Sequence, residues 1–255
     1  MQSDAVTFAV DAQAPPELAL AAAGLAAGLA DLGRPCEVLL DPWPETLTAR
    51  TLVIEVGAAE TRARGWRLAM GPAADLALTG PHGRSSPLPL PIPPLPPCGH
   101  FADRLFIIGG GANRRMRMLM KLFDALRAHP GIEAVVWREL PEDVLRQRLV
   151  AEVHPDLRSE ELARLLGSAA ALVEVSDEPT PEALLLAALG RASGIPTVVH
   201  EALAGGRNDL VAVGEWSGEA FADAAVAAAK RSRNEGAASA LRKDAAERFA
   251  GALVS

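Results

Sequence analysis

Two short stretches of this chain gather the residue types that could do chemistry. In the first, Gly109-Gly110-Gly111-Ala112-Asn113-Arg114-Arg115-Met116-Arg117, three glycines separate an apolar run from a helical pattern that opens on arginines. Glycines let backbone amides approach an anion, and the first turn of a helix adds unsatisfied N–H groups and partial positive charge. Arg114 and Arg115 would supply charge-assisted donors suited to a diphosphate. In the second, Val175-Ser176-Asp177-Glu178-Pro179-Thr180-Pro181-Glu182, the carboxylates Glu178 and Glu182 fall on a loop between a strand and a Leu-rich helix. Open α/β sheets bind ligands at that edge, and carboxylates there can orient hydroxyl groups.

Each stretch also has a plainer reading. Asn113 and Arg114 stand where Gly-x-Gly-x-x-Gly needs its third glycine, and no Gly-Lys-Ser/Thr follows, so neither nucleotide fingerprint is met. What is left is a generic phosphate site or a tight turn with solvated arginines. Glu178 and Glu182 are either ligand-orienting groups or a loop carboxylate and a helix first-turn carboxylate. A further glycine loop, Gly205-Gly206-Arg207-Asn208-Asp209-Leu210-Val211, could present backbone amides. Of the histidines at 82, 100, 129, 154 and 200, His82 in Gly80-Pro81-His82-Gly83-Arg84 is the candidate base.

Composition narrows the classes. The chain has 255 residues, enough for one large or two small domains, with 49% hydrophobic residues and a formal net charge of −7. No long basic block occurs, which argues against nucleic acid as a partner. Cys36 and Cys98 have no metal or redox spacing, so no metal site is expected and a reduced, cytoplasmic setting is the default. The Ala/Leu-rich segment 18–32 is too short for a membrane span, holds Gly24 and Gly28, and is expected to be a buried helix.

The elements that must position these residues alternate. The pattern predicts strands at 6–10, 36–40, 51–56 and 75–79, with a helix over 16–31 that has Pro at its first turn and Gly33 past its end. Seven prolines in the twelve residues 86–97 predict an extended polyproline II segment, either a linker between two lobes or an SH3-type ligand. A second α/β series follows: strands at 104–108, 132–137, 150–154, 172–175, 197–200 and 210–213. Helices are expected at 113–129, 141–149 and 159–167, and in an alanine-rich tail over 218–254.

With those elements in place, the stretch 104–126, RLFIIGGGANRRMRMLMKLFDAL, and the strand–acidic loop–helix over 159–199 resemble the second lobe of GT-B glycosyltransferases of the family 4 type. The resemblance implies two Rossmann-like α/β lobes with parallel sheets flanked by helices. The division would be a lobe at 1–84, a Pro-rich linker at 85–100, and a nucleotide-sugar-binding lobe with helical tail at 101–255. It implies sugar transfer from a nucleotide-activated donor to an acceptor, with the donor as co-substrate and no other cofactor. Gly109, Gly110, Gly111, Arg114, Arg115 and Lys121 would take the donor diphosphate without a metal, Gly205 and Gly206 would frame it, and Glu182, Glu178 and His82 would serve catalysis.

The family pattern is incomplete here. Its two glutamates are separated by seven residues, but eight beyond Glu178 and Glu182 stand Leu186 and Gly190. Glu174 and Glu182 have the spacing, yet Glu174 is expected inside a strand. The β1–α1 turn, Asp11-Ala12-Gln13-Ala14, lacks the family's glycine pair. A degenerate, non-catalytic subunit or scaffold, bound to a protein partner or a second copy, is therefore the alternative reading.

Overall fold

The computed structural model describes residues 5–34, 36–40, 51–57, 65–96, 103–140, 150–205 and 209–254. The chain forms two compact α/β units, one of residues 1–94 and 236–255, the other of residues 95–235. The expected α/β class and helix-flanked parallel sheets are present. The predicted helix over 141–149 lies outside the described residues.

The first unit is a six-stranded sheet in the order β2-β1-β3-β4-β5-β6. Its strands are β1 (Ala5–Val10), β2 (Cys36–Leu40), β3 (Thr51–Val56), β4 (Trp66–Met70), β5 (Leu76–Thr79) and β6 (Ser85–Leu88). The first four run parallel, whereas β4-β5-β6 is an antiparallel meander. Helix α1 (Pro16–Asp31) crosses from β1 to β2. Leu18, Leu25 and Leu29 of this helix are buried, as are Phe8 and Ile54 of the sheet.

The units divide differently from the expected lobes at both seams. Ser85–Leu88 pairs with β5, so the proline-rich run begins as a strand; Pro87, which lacks an amide hydrogen, is tolerated because β6 is the outer strand. Leu88, Leu90 and Ile92 are buried, so this stretch is wall of the first unit as far as residue 94. Helix α7 (Glu235–Ala252), expected in the second lobe, belongs to the first unit. Its Phe249 ring meets Phe8 at 5.5 Å between centroids, and Arg242 donates to the Ile92 carbonyl at 3.3 Å. The two glycines of α1 explain the seam. A Cβ on Gly24 would stand 2.7 Å from the backbone of Pro91 and Ile92, and one on Gly28 2.9 Å from Ala246 and the Arg242 carbonyl.

The second unit is a six-stranded, wholly parallel sheet in the order β12-β11-β10-β7-β8-β9. Its strands are β7 (Arg104–Ile108), β8 (Glu133–Trp137), β9 (Val150–His154), β10 (Ala171–Val173), β11 (Thr197–His200) and β12 (Leu210–Val213). Its helices are α2 (Asn113–Leu126), α3 (Ser159–Ser168), α4 (Pro181–Ser193), α5 (Glu201–Ala204) and α6 (Gly218–Ala229). Strand residues alternate between faces as the pleat requires. Leu105, Ile107, Ala134, Val136 and Val173 share one core with Met118, Leu122 and Phe123 of α2 and Phe221 and Ala225 of α6. The chain works outward from β7 to β9 and returns to β10 at β7's other side, so the order reverses between β7 and β10. That reversal is where parallel sheets open a crevice at their carboxyl ends.

Candidate functional site

At the reversal, the β7–α2 turn and the β10–α4 loop face each other, and both predicted stretches are brought together. Gly109 is pinned under the end of β8: its amide donates to the Trp137 carbonyl at 2.6 Å, and a Cβ would stand 2.7 Å from the Glu139 carbonyl. Gly110 (φ 77°) and Gly111 (φ 90°) are left-handed, a backbone form that costs a residue with a side chain far more. Helix α2 then starts on Ala112, which gives no side-chain cap, and its first turn holds no acidic residue. Every other described helix has an acid in its first turn, and α4 and α6 are also capped by Thr180 and Ser217. The start of α2 is thus left with its amides and partial positive charge uncompensated.

The two arginines of that turn have opposite fates. Arg115, expected as a diphosphate donor, points inward and is 3% exposed. Its Nε and Nη2 donate to the two Glu174 oxygens at 2.8 Å each, its Nη1 to the Gly110 carbonyl at 2.6 Å, and its Nη2 also to the Ile108 carbonyl at 2.6 Å. Glu174 is fully buried, and its Oε1 also accepts from the Ser176 amide at 2.9 Å and the Ser176 hydroxyl at 2.6 Å. A guanidinium so committed shapes the turn from below and has no fork to offer a ligand. Arg114 stays at the surface. It pairs with Asp177, lies 3.7 Å from Glu178, and sets its guanidinium 4.5 Å from the Trp216 ring centroid. Trp216 follows β12, and its indole N–H donates to the Val175 carbonyl at 2.8 Å. That bond fixes the ring as a platform under Arg114.

Glu182 sits in the first turn of α4 and lies 3.6 Å from Arg138 at the end of β8. Arg138 has φ 75°, uncommon for a residue with a side chain, and stacks 5.0 Å from the Trp137 ring centroid. Three arginines from two turns, Arg114, Arg115 and Arg138, therefore face four carboxylates of one segment, Glu174, Asp177, Glu178 and Glu182.

The other predicted residues lie elsewhere. Lys121 is exposed eight residues into α2, about 12 Å along the axis from its start, and its backbone is packed against Gly218. Gly205 is the left-handed C-cap of α5, on the return from β11 to β12, and Gly206 is outside the described residues. His82 is exposed at the tip of the β5–β6 hairpin. Because β5 runs antiparallel to β4, that tip lies at the amino-terminal edge of the first unit's parallel strands, opposite the edge where such sheets take ligands. His129, His154 and His200 meet Asp223, Glu152 and the Ala202 amide. Cys36 donates to the Ala26 carbonyl at 2.9 Å, and burial raises its pKa above that of an ordinary thiol. Among the described residues, no group of three or more His, Cys, Asp or Glu is placed to hold a metal ion, and no helix is long and apolar enough to cross a membrane.

Nothing in the sequence assigns a role to Asp177, Arg138 or Trp216, and Glu174, which has the spacing to Glu182, is expected there only as a strand residue. One signal was available. Glu174 interrupts the apolar run 169–175, and a carboxylate there requires a buried partner.

No protein-family model matches the chain, and no curated protein matches it either. Among solved structures, a putative UDP-N-acetylglucosamine 2-epimerase from Listeria monocytogenes is 11% identical, with 98% of this chain and 96% of that one covered and a TM-score of 0.46. HepE from Anabaena, solved with UDP and glucose, is 10% identical, with 98% and 99% covered and a TM-score of 0.41. The glycosyltransferase SnogD from Streptomyces nogalater is 14% identical, with 98% and 95% covered and a TM-score of 0.40. At these values the likeness carries no residue role and no activity.

Proposed function

We infer that the chain is a glycosyltransferase-like protein whose second unit takes up the diphosphate of a nucleotide-activated sugar at the Gly109–Arg114 turn. One observation supports this most. The uncapped, acid-free start of α2 follows two left-handed glycines at the point where the strand order reverses. Backbone amides and Arg114 would receive the phosphoryl oxygens, and Trp216 would hold Arg114 from beneath. Glu178, 3.7 Å from Arg114, and Glu182, in the first turn of α4, would accept from sugar hydroxyls. Arg115 and Glu174 would act indirectly, holding the turn in shape.

A second reading has its own support. Each of the four loop carboxylates is engaged by an arginine, so none stands ready as a general base in the described site. Under that reading the protein binds a nucleotide diphosphate, or a partner, without transferring sugar.

Titration calorimetry with UDP, GDP, ADP, TDP and their sugar conjugates separates the readings. Saturable micromolar binding of one base, weakened roughly ten- to a hundredfold in Arg114→Ala, is expected, as for loss of one charge-assisted contact. Release of nucleotide diphosphate from the bound conjugate in the presence of acceptor marks the enzyme, and binding without release marks the non-catalytic subunit. Silence across the panel with folded protein refutes both nucleotide readings.

A further inference from the structure

The cation best placed to meet a ligand is already occupied. Arg114 is about half exposed, yet its guanidinium is held by Asp177 on one side and approached by Glu178 at 3.7 Å, with the Trp216 ring 4.5 Å from it. Asp177 and Glu178 precede Thr180 and Pro181, which cap and start α4, so the pair rides on the free part of a loop anchored at both ends. On the near side the anchor is Glu174, fully buried and fixed by Arg115 and Ser176. On the far side Glu182 is held by Arg138. The anchors keep the loop's ends still, whereas the two central carboxylates are tied to nothing described but Arg114.

We propose that Asp177 and Glu178 are an internal occupant of the anion site, a latch on Arg114 that an incoming diphosphate must displace. The inference rests on the diphosphate reading above. Two carboxylates flanking one guanidinium imitate the paired oxygens of two linked phosphoryl groups. A single phosphate that gained only Arg114 would merely trade one anion for another. A diphosphate reaches both Arg114 and the uncompensated amides at the start of α2, and so gains donors the latch never used. The latch therefore acts as a filter. It weakens all anions, and it is overcome by those long enough to span the turn. Exposed ion pairs are individually weak, which suits a contact meant to be exchanged.

The test uses the full chain and two readouts. Without ligand, hydrogen exchange of the Arg114 Nη–H groups by NMR reports whether the guanidinium is held, since Nη2 meets Asp177 and Nη1 faces Glu178. With ligand, inorganic pyrophosphate and inorganic phosphate are titrated calorimetrically into the wild type, Asp177→Asn/Glu178→Gln, and a charge control, Asp124→Asn/Asp223→Asn, whose carboxylates are exposed on α2 and α6. The expected result is an Arg114 proton that exchanges faster in the latch variant, with pyrophosphate bound roughly two- to thirtyfold tighter there than in the wild type. Phosphate should gain a similar factor, because both anions displace the same contact, and the charge control should gain little. A freely exchanging Arg114 in the wild type overturns the latch whatever the titrations give. Equal pyrophosphate affinity in wild type and latch variant, or equal gain in the charge control, overturns the latch and leaves the diphosphate site standing. Arg114 released in the variant with no pyrophosphate bound by any protein overturns the diphosphate reading and the competitive role together.

Discussion

Arg115 and Glu174 meet across 59 residues of sequence with both side chains withdrawn from water. Such a pair adds little net stability over an apolar substitute, yet breaking it leaves a buried charge alone. Arg115→Met is expected to cost about 3–5 kcal/mol, measured as a lowered urea midpoint, with Glu174→Leu in the same chain restoring part of the loss. A cost under about 1 kcal/mol for the single variant would remove the pair from the structural account. Arg115→Lys should fall between, since an ammonium cannot serve Glu174, Gly110 and Ile108 with one planar fork. At this scale sequence was a partial guide. The two adjacent arginines looked interchangeable as anion donors, because nothing local distinguishes the one that faces solvent from the one that faces Glu174. A carboxylate in an apolar run signalled a partner without naming it.

Helix α2 begins on an alanine, and that choice can be reversed. Ala112→Asp supplies the missing cap and a favourable charge, so it should stabilise the protein by about 1 kcal/mol, read as a higher unfolding midpoint. The same change should abolish pyrophosphate binding, because the new carboxylate occupies the amides a ligand would use. A gain in both stability and affinity would show that the start of α2 is not where the anion sits. The elements that carry this argument were legible: the β7 run, the glycine turn, α2, and the strand–loop–helix of β10 and α4 all follow from periodicity and punctuation. The first unit's later strands were not. β4 carries no strict alternation, and β6 contains Pro87, which reads as a breaker until the outer position of the strand is known. The prolines after it were expected to hold an extended spacer, yet Leu90 and Ile92 between them are core residues pressed against Gly24 of α1.

For the whole molecule, the last helix decides where the first unit ends. α7 brings Ala246 against Gly28, Phe249 against Phe8 and Arg242 onto the Ile92 carbonyl. Removing residues 236–255 is expected to raise amide hydrogen exchange across β1, α1 and β3 while leaving β7, β10 and α4 protected. Protection unchanged in the first unit would mean that α7 merely rests on it. The tail's helices were foreseen, but their allegiance was not, since a poorly patterned, alanine-rich helix gives no sign of which core it completes. The residues just before α7 are tied within the second unit. Arg233 donates to the carbonyls of Leu166, Gly167 and Ala169 at the end of α3, and the Asn234 amide donates to Gly194.

This discontinuity sets the order in which the chain can mature on the ribosome. Residues 95–235 form one uninterrupted segment and hold everything their sheet needs. The segment synthesised before it, by contrast, lacks the helix that covers Phe8 and Gly28 until α7 emerges after it. The usual amino-to-carboxyl sequence of domain folding is thereby inverted. The second unit can close while the first waits with an apolar face open, and a chaperone able to recognise that face would have its longest opportunity during translation of the second unit.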